Sequence, residues 1–158
     1  MIDPSNGNIL FEVPAFQISA ELTTTRYHAS PLASLGGSSP SPRFTFQPVH
    51  WGGEAWAGRL VFRGGILHAV SLQVLRAEFG TSWTDASEEK ELARKHCHEA
   101  LARRALGQGL EVLIAHPHDA RFSMLGRVYP WGRVRSFYDD KAGFSALEVE
   151  YHVESIGD

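Results

Sequence analysis

Two adjacent glycines, Gly64 and Gly65, constrain the fold of this chain more than any other feature of its sequence. They separate two runs of apolar, β-forming residues, at 58–63 and 66–74. Glycine adopts positive φ without steric cost, and a two-residue hairpin turn requires positive φ. The sequence therefore predicts an antiparallel hairpin at this point, around which the rest of the fold is built.

A second hairpin is predicted around a turn at residues 138–143, because apolar and polar residues alternate on both sides of it. Counting outward from this turn pairs Val134 with Leu147 and Arg133 with Glu148. One face of the hairpin would then be apolar, and the other would carry ion pairs between the strands.

One long helix is predicted over residues 84–107, with Thr84 or Asp85 as its cap and Gly107 at its end. The side of the helix expected to pack on a sheet carries Leu92, Ala93, His96, Cys97, Ala100 and Leu101. The side expected to face solvent carries Glu91, Arg94, Lys95, His98 and Glu99.

These elements, with shorter strands predicted at 16–22, 43–47 and 110–115, favour the α+β class. We expect an antiparallel β-sheet of hairpins with the long amphipathic helix packed on one face. A length of 158 residues predicts a single domain over residues 1–158. Residues 29–42 are predicted to form a flexible surface loop, because ten of these fourteen residues are Ser, Gly or Pro.

Charge and cysteine content exclude several classes of function. Fifteen Lys and Arg stand against eighteen Asp and Glu, and without a basic excess we expect no nucleic-acid partner. One cysteine excludes an internal disulfide and a zinc site built from several cysteines. The sequence shows neither a signal peptide nor an apolar run that spans a membrane, so the expected location is the cytoplasm.

Histidines provide the main candidates for chemistry. His96 and His98 are two residues apart on the helix and point about 200° away from each other, so they cannot jointly bind one ion. His116 and His118 lie in a predicted turn beside Asp119, and these three residues define one alternative, a small metal-dependent enzyme. Cys97 is mid-helix on the apolar side, where a cysteine behaves as a small hydrophobic residue.

Aromatic and acidic residues in predicted turns favour a different function, the binding of a protein partner. The candidate contacts are Trp51, Glu54, Trp56, Tyr138, Asp139 and Asp140. The alternative for the tryptophans, including Trp83 and Trp131, is that they pack the helix against the sheet.

Four segments resemble a group of small proteobacterial immunity proteins, which are encoded beside polymorphic and type VI secretion toxins. These segments are residues 16–23 with Ser30-Pro31-Leu32, residues 58–72, residues 82–107, and residues 129–134 with 138–147. Ala86 and Asp140 depart from the tryptophan and proline that the group usually has at those positions.

The resemblance implies a non-enzymatic inhibitor that binds a cognate toxin and occludes its active site. It implies no cofactor and no metal, and it assigns no binding residues, because such surfaces vary with the toxin. Two alternatives stay open from the sequence: the metal-dependent enzyme that uses His116, His118 and Asp119, and an adaptor or chaperone for a secretion system.

Overall fold

The computed structural model describes residues 2–36, 43–80 and 85–151, and it confirms the α+β class. The strands are β1 (Ile9–Glu12), β2 (Ala15–Ile18), β3 (Arg43–Trp51), β4 (Glu54–Arg63), β5 (Ile66–Val74), β6 (Glu111–Ile114), β7 (Met124–Tyr129), β8 (Gly132–Asp139) and β9 (Phe144–Tyr151). The helices are α1 (Thr24–His28) and α2 (Glu88–Leu106). β1 and β2 pair with each other, and the other strands form one antiparallel sheet in the order β3-β4-β5-β9-β8-β7-β6.

Two glycine pairs form the tight turns of the β3–β4–β5 meander. Gly64 and Gly65 have φ of 58° and 81° and join β4 to β5, which confirms the predicted hairpin. Gly52 and Gly53 have φ of 62° and 80° and join β3 to β4 in the same way. The Gly52–Gly53 turn uses the same positive-φ glycines, but the sequence analysis does not predict it.

The C-terminal hairpin is confirmed, but its predicted register is wrong by two residues. Val134 pairs with Val149 and Arg133 with Glu150, because the strands extend into the predicted turn as far as Asp139. A shift of two residues keeps every side chain on its expected face. The polar face therefore carries a cross-strand ion pair as expected, but Arg133 pairs with Glu150, at 2.7 Å, instead of with Glu148.

The apolar core lies on one face of the large sheet. Strand residues on this face are fully buried: Leu60, Val70, Leu72, Val134, Leu147 and Val149. Residues of the N-terminal segment join the same cluster, and Phe11 lies edge-on against Phe46 of β3 at 5.8 Å. α2 contacts β5, β8 and β9 on the same face.

The predicted flexible loop at 29–42 is described as far as Gly36. This part contains a 3₁₀ turn at Ala33–Leu35, and Leu32 is fully buried in the core. Residues 37–42 lie outside the described residues.

α2 begins later than predicted. Its cap is Ser87, whose side chain accepts a hydrogen bond from the backbone N–H of Lys90 at 3.3 Å. Asp85 precedes the cap, and Thr84 lies outside the described residues. The helix ends at Gly107, which adopts the left-handed conformation as expected. Neither helix in the described ranges is long and apolar enough to cross a membrane.

The predicted orientation of α2 is wrong, because its charged side faces the sheet. Five residues expected in solvent are buried: Glu91, Arg94, Lys95, His98 and Glu99. Three residues expected to pack on the sheet are exposed: Ala93, His96 and Ala100. Leu92 and Leu101 are buried as expected, and Cys97 is half-buried.

Glu91 and Arg94, in the first turns of α2, can be buried because they form hydrogen bonds with neighbouring backbone groups. The carboxylate of Glu91 accepts from the backbone N–H of Ser145 at 2.8 Å and from the hydroxyl of Ser145 at 3.0 Å. Arg94 forms an ion pair with Glu91 and donates to the carbonyl oxygens of Phe79 and Gly80 at 3.0 and 2.9 Å. These contacts replace hydration that both charges lose on folding.

The buried polar groups on the next turn of α2 also have partners. Lys95 and Glu99 form an ion pair, and their side chains are only 2% and 6% exposed. His98 accepts a hydrogen bond at Nε2 from the backbone N–H of Val74 at 3.1 Å. Its ring stacks on Trp56, with the centroids 5.7 Å apart. Every buried charge on α2 therefore has an opposite charge one turn away.

We expect the loss of one partner of the buried Lys95–Glu99 pair to destabilise the protein more than the loss of both partners. Lys95→Met leaves the buried Glu99 carboxylate with only a long contact, 3.9 Å, to the exposed Arg103. It should therefore lower the free energy of unfolding by about 3 kcal/mol. The double variant Lys95→Met/Glu99→Leu should recover most of this loss, because it removes both charges. Urea unfolding monitored by far-UV circular dichroism measures both values.

Lys90→Met is the matched control, because Lys90 pairs with Asp85 near the surface of the same helix. It should cost about 1 kcal/mol or less. Equal losses for Lys95→Met and Lys90→Met would contradict the burial of Lys95.

Candidate functional site

Trp51 and Trp56, two of the predicted partner contacts, are buried in the core. They are 4% and 0% exposed, and their ring centroids are 5.0 Å apart. The Gly52–Gly53 turn places them on paired strands, and Trp56 donates from Nε1 to the Trp51 carbonyl at 3.0 Å. Neither side chain offers a surface to a partner in this conformation.

The other two tryptophans were considered as residues that pack the helix on the sheet. Trp131 instead anchors the N-terminal segment, because it donates from Nε1 to the carbonyl of Pro4 at 2.9 Å. Its ring stacks on Tyr129 at 5.0 Å. Trp83 lies outside the described residues.

Glu54 is engaged inside the protein. Arg76 donates from Nε to the Glu54 carboxylate at 3.0 Å and makes a second contact through Nη2. This hydrogen bonding holds the pKa of Glu54 below its ordinary value. A partner would have to compete with Arg76 for this carboxylate.

The turn between β8 and β9 holds the remaining three candidates. Asp139 builds the turn, because its Oδ1 accepts from the backbone N–H groups of Lys141 and Ala142, both at 3.0 Å. Asp140 is exposed, and Tyr138 is half-buried beside it. This turn therefore lies at the surface, whereas Trp51 and Trp56 are buried and Glu54 is paired with Arg76.

Two elements that are distant in sequence lie against this turn. Phe122 contacts the ring of Tyr138 at 5.4 Å, and His116 contacts the ring of Phe122 at 5.2 Å. The pKa of Tyr138 is raised, first by burial and then by nearby negative charges, of which Glu88 at the start of α2 is the largest. We call these residues, Glu88, His116, Phe122, Tyr138 and Asp140, the acidic–aromatic surface.

Sequence reasoning found only part of this surface. Tyr138 and Asp140 were candidates because they lie in a turn, and His116 was considered only as a metal ligand. Glu88 and Phe122 were missed, because only the tertiary fold brings them to the turn. No local pattern in the sequence distinguishes Glu88 from the other acids at the start of α2.

The three residues of the metal hypothesis share one turn, in which Nδ1 of His116 and the carboxylate of Asp119 are engaged. Nδ1 of His116 accepts from the backbone N–H groups of His118 and Asp119, at 3.4 and 3.1 Å. Asp119 pairs with Arg121 at 2.6 Å, and its pKa is lowered by these hydrogen bonds. Among the described residues, no group of three or more His, Cys, Asp or Glu is placed to hold a metal ion.

Burial shifts the pKa of two groups on α2, the half-buried Cys97 and the fully buried His98. Burial raises the pKa of the Cys97 thiol, which disfavours the reactive thiolate. Burial, reinforced by the positive charges of Arg94 and Lys95, lowers the pKa of His98 to about 3. Because Nε2 of His98 accepts from Val74, we assign its proton to Nδ1, which is buried without a hydrogen-bond partner.

Comparison with known proteins adds no relative to this description. No protein-family model, no curated protein and no solved structure matches the chain.

His98 should make stability depend on pH. Its pKa is near 6.5 in the unfolded chain and about 3 in the folded one, so between these two pH values the unfolded chain binds this proton and the folded chain does not. The free energy of unfolding should therefore fall with decreasing pH, by up to about 1.4 kcal/mol per pH unit from this group. Urea unfolding at intervals from pH 7 to pH 5 measures the slope.

His98→Gln keeps an acceptor for the Val74 N–H and has no titrating ring, so its slope should be flatter. His96→Gln, on the exposed side of the same helix, should keep the slope of the unaltered protein. If the free energy of unfolding falls equally steeply with pH in His98→Gln and in the unaltered protein, His98 is not the cause of the slope.

Proposed function

We propose that this protein is a non-enzymatic immunity protein, which binds a cognate bacterial toxin in the cytoplasm and occludes the toxin's active site. The observation that carries the proposal is the acidic–aromatic surface, which combines partly exposed rings with exposed carboxylates. The resemblance of four sequence segments to immunity proteins agrees with this proposal.

The rings of the acidic–aromatic surface are suited to anchor a partner. Tyr138, Phe122 and His116 are each half-buried and lie in a contacting series. Aromatic side chains that are already held in place offer contact area at a small cost in conformational entropy. Asp139 fixes the turn that presents Tyr138, so its role is to position the surface rather than to contact a partner.

The carboxylates of this surface specify the chemistry of the partner. Glu88 and Asp140 are exposed. Arg121, which pairs with Asp119, lies close enough to Glu88 to interact with its charge. Such charges attract a basic surface over several ångströms and speed its association. A toxin that acts on nucleic acid, on nucleotides or on the translation machinery needs basic residues where it binds phosphate, and an acidic inhibitor surface can cover them.

Co-expression tests the function as a whole. The protein encoded by the adjacent reading frame should arrest growth when expressed alone, and this chain should restore growth and co-elute with it in gel filtration. Failure of both rescue and co-elution would contradict the proposal. Recovery of a secretion-system component in place of a toxin would instead favour the adaptor function.

Charge reversal at the acidic–aromatic surface should slow association. In Glu88→Lys/Asp140→Lys, the rate constant for binding the adjacent-frame protein should fall at least about tenfold at low salt, because electrostatic steering is lost. The difference should shrink at high salt, since salt screens exposed charges. Stopped-flow fluorescence measures these rates.

Glu21→Lys is the matched control, because Glu21 is an exposed acid on the N-terminal segment. It should leave the association rate within about twofold of the unaltered protein. Equal slowing by both variants would show that net charge, rather than this surface, governs binding.

A further inference from the structure

A cavity of about 160 Å³ lies between the C-terminal part of α2, the turn that joins β3 to β4 and the end of β1. Its lining residues come from these three elements and all belong to the described ranges: Glu12, Trp51, Gly52, Leu101, Arg104 and Ala105. About 20 Å of helix separates Leu101 from Glu88, at about 1.5 Å per residue. The cavity is therefore separate from the acidic–aromatic surface.

Glu12 and Arg104 give this cavity one negative and one positive side chain. Both side chains are exposed, so a small molecule can reach them from solvent. Arg104 lies close enough to Glu54 to lower the pKa of Glu54, but Glu54 forms its ion pair with Arg76. Among the residues that the structure describes, the hydrogen bonds of Glu12 and Arg104 run only to the backbone of Gly52, and neither charge has an ion-pair partner.

Gly52 shows what this pair of side chains can hold. The Glu12 carboxylate accepts from the Gly52 N–H at 2.9 Å, and Nη2 of Arg104 donates to the Gly52 carbonyl at 2.8 Å. Since the N and O atoms of one residue are about 3–4 Å apart, these bonds hold the carboxylate and the guanidinium within about 10 Å of each other. In the described parts of the chain, Oε2 of Glu12 and Nη1 of Arg104 make no hydrogen bond, so both can bind a ligand.

The positions of the donor and the acceptor define the charged part of the ligand. An α-amino acid carries its ammonium and its carboxylate on one carbon, so these groups have the same spacing as the N–H and the carbonyl of Gly52. The ammonium can donate to Glu12, and the carboxylate can accept from Arg104. Charge-assisted hydrogen bonds of this kind are shorter and stronger than bonds between neutral groups.

The size and the wall of the cavity define the side chain of the ligand. Leu101 and Ala105 lie one turn apart on α2, so they present adjoining apolar surface to the cavity. A cavity of about 150 Å³ holds a molecule of the size of benzene. The volume found here therefore fits a short aliphatic side chain.

We propose that this cavity binds a free α-amino acid with a short apolar side chain. Glu12 holds the ammonium, Arg104 holds the carboxylate, and Leu101 and Ala105 pack against the side chain. Because both charges of the ligand are used, removing either one from the ligand or from the protein should weaken binding. This site is additional to the proposed partner surface, and its test needs no partner protein.

L-Valine is a suitable probe, because it combines both charged groups with a short branched side chain. Titration of the purified full chain, monitored by NMR chemical shifts, should show saturable binding with a dissociation constant in the low millimolar range or tighter. 3-Methylbutanoate lacks only the ammonium of valine, and isobutylamine lacks only the carboxylate. Each should bind at least about fivefold more weakly than L-valine, because it loses one charge-assisted hydrogen bond.

Glu12→Gln and Arg104→Gln each remove one charge from the site. Glu12→Gln keeps an acceptor for the Gly52 N–H, so the turn should stay in place. Each variant should weaken L-valine binding at least about fivefold, while the thermal unfolding transition remains cooperative. Arg103→Gln is the matched control, because Arg103 is exposed at the next position of α2 and lies outside the cavity lining. It should bind L-valine as the unaltered protein does.

A change in ligand preference separates a direct contact from a structural role. Glu12→Gln should bind L-valine and 3-methylbutanoate about equally, because the partner of the ammonium is lost. A variant that only disturbs the cavity would weaken both ligands and keep the preference for L-valine.

Several outcomes would overturn the proposal. They are no saturable binding of L-valine, binding of either analogue as tightly as L-valine, undiminished binding by a folded Glu12→Gln or Arg104→Gln, or an unchanged preference in Glu12→Gln. The comparison of L-valine with its analogues uses the unaltered protein, so it decides the matter even if a variant fails to fold.

Discussion

The burial of a charged helix side against the sheet is the interaction on which the rest of this structure depends. Within α2, Glu91 compensates Arg94, and Glu99 compensates Lys95. Glu91 also accepts hydrogen bonds from outside the helix, from both the N–H and the hydroxyl of Ser145 in β9. Such directional bonds restrict how far the helix can slide or rotate on the sheet, more narrowly than apolar contacts alone would.

This fixed position of α2 helps to form the acidic–aromatic surface. At its N-terminal end the helix brings Glu88 close to the turn that presents Tyr138, so the negative charge and the rings share one surface. A helix rotated to the orientation predicted from its apolar residues would leave the charge of Arg94 in solvent.

Local patterns predicted the fold class but not the packing. The hairpin at Gly64–Gly65 and the long helix were predictable because turn chemistry and helix termination depend on neighbouring residues. The same chemistry at Gly52–Gly53 was overlooked, because the flanking tryptophans were interpreted as loop anchors. The helix side was predicted wrongly because the partners that permit its burial, such as Ser145, lie about fifty residues away. Phe122 reaches Tyr138 in the same long-range way.

Acylation of the lysines is the most direct test of the central claim, that α2 buries its charged side. The lysines of this chain are Lys90, Lys95 and Lys141, and only Lys95 is fully buried. Brief treatment of the native protein with an amine-reactive reagent, followed by peptide mass spectrometry, should modify Lys90 and Lys141 and spare Lys95 until the chain is unfolded. Modification of Lys95 in the native protein at the rate of Lys90 would contradict the account.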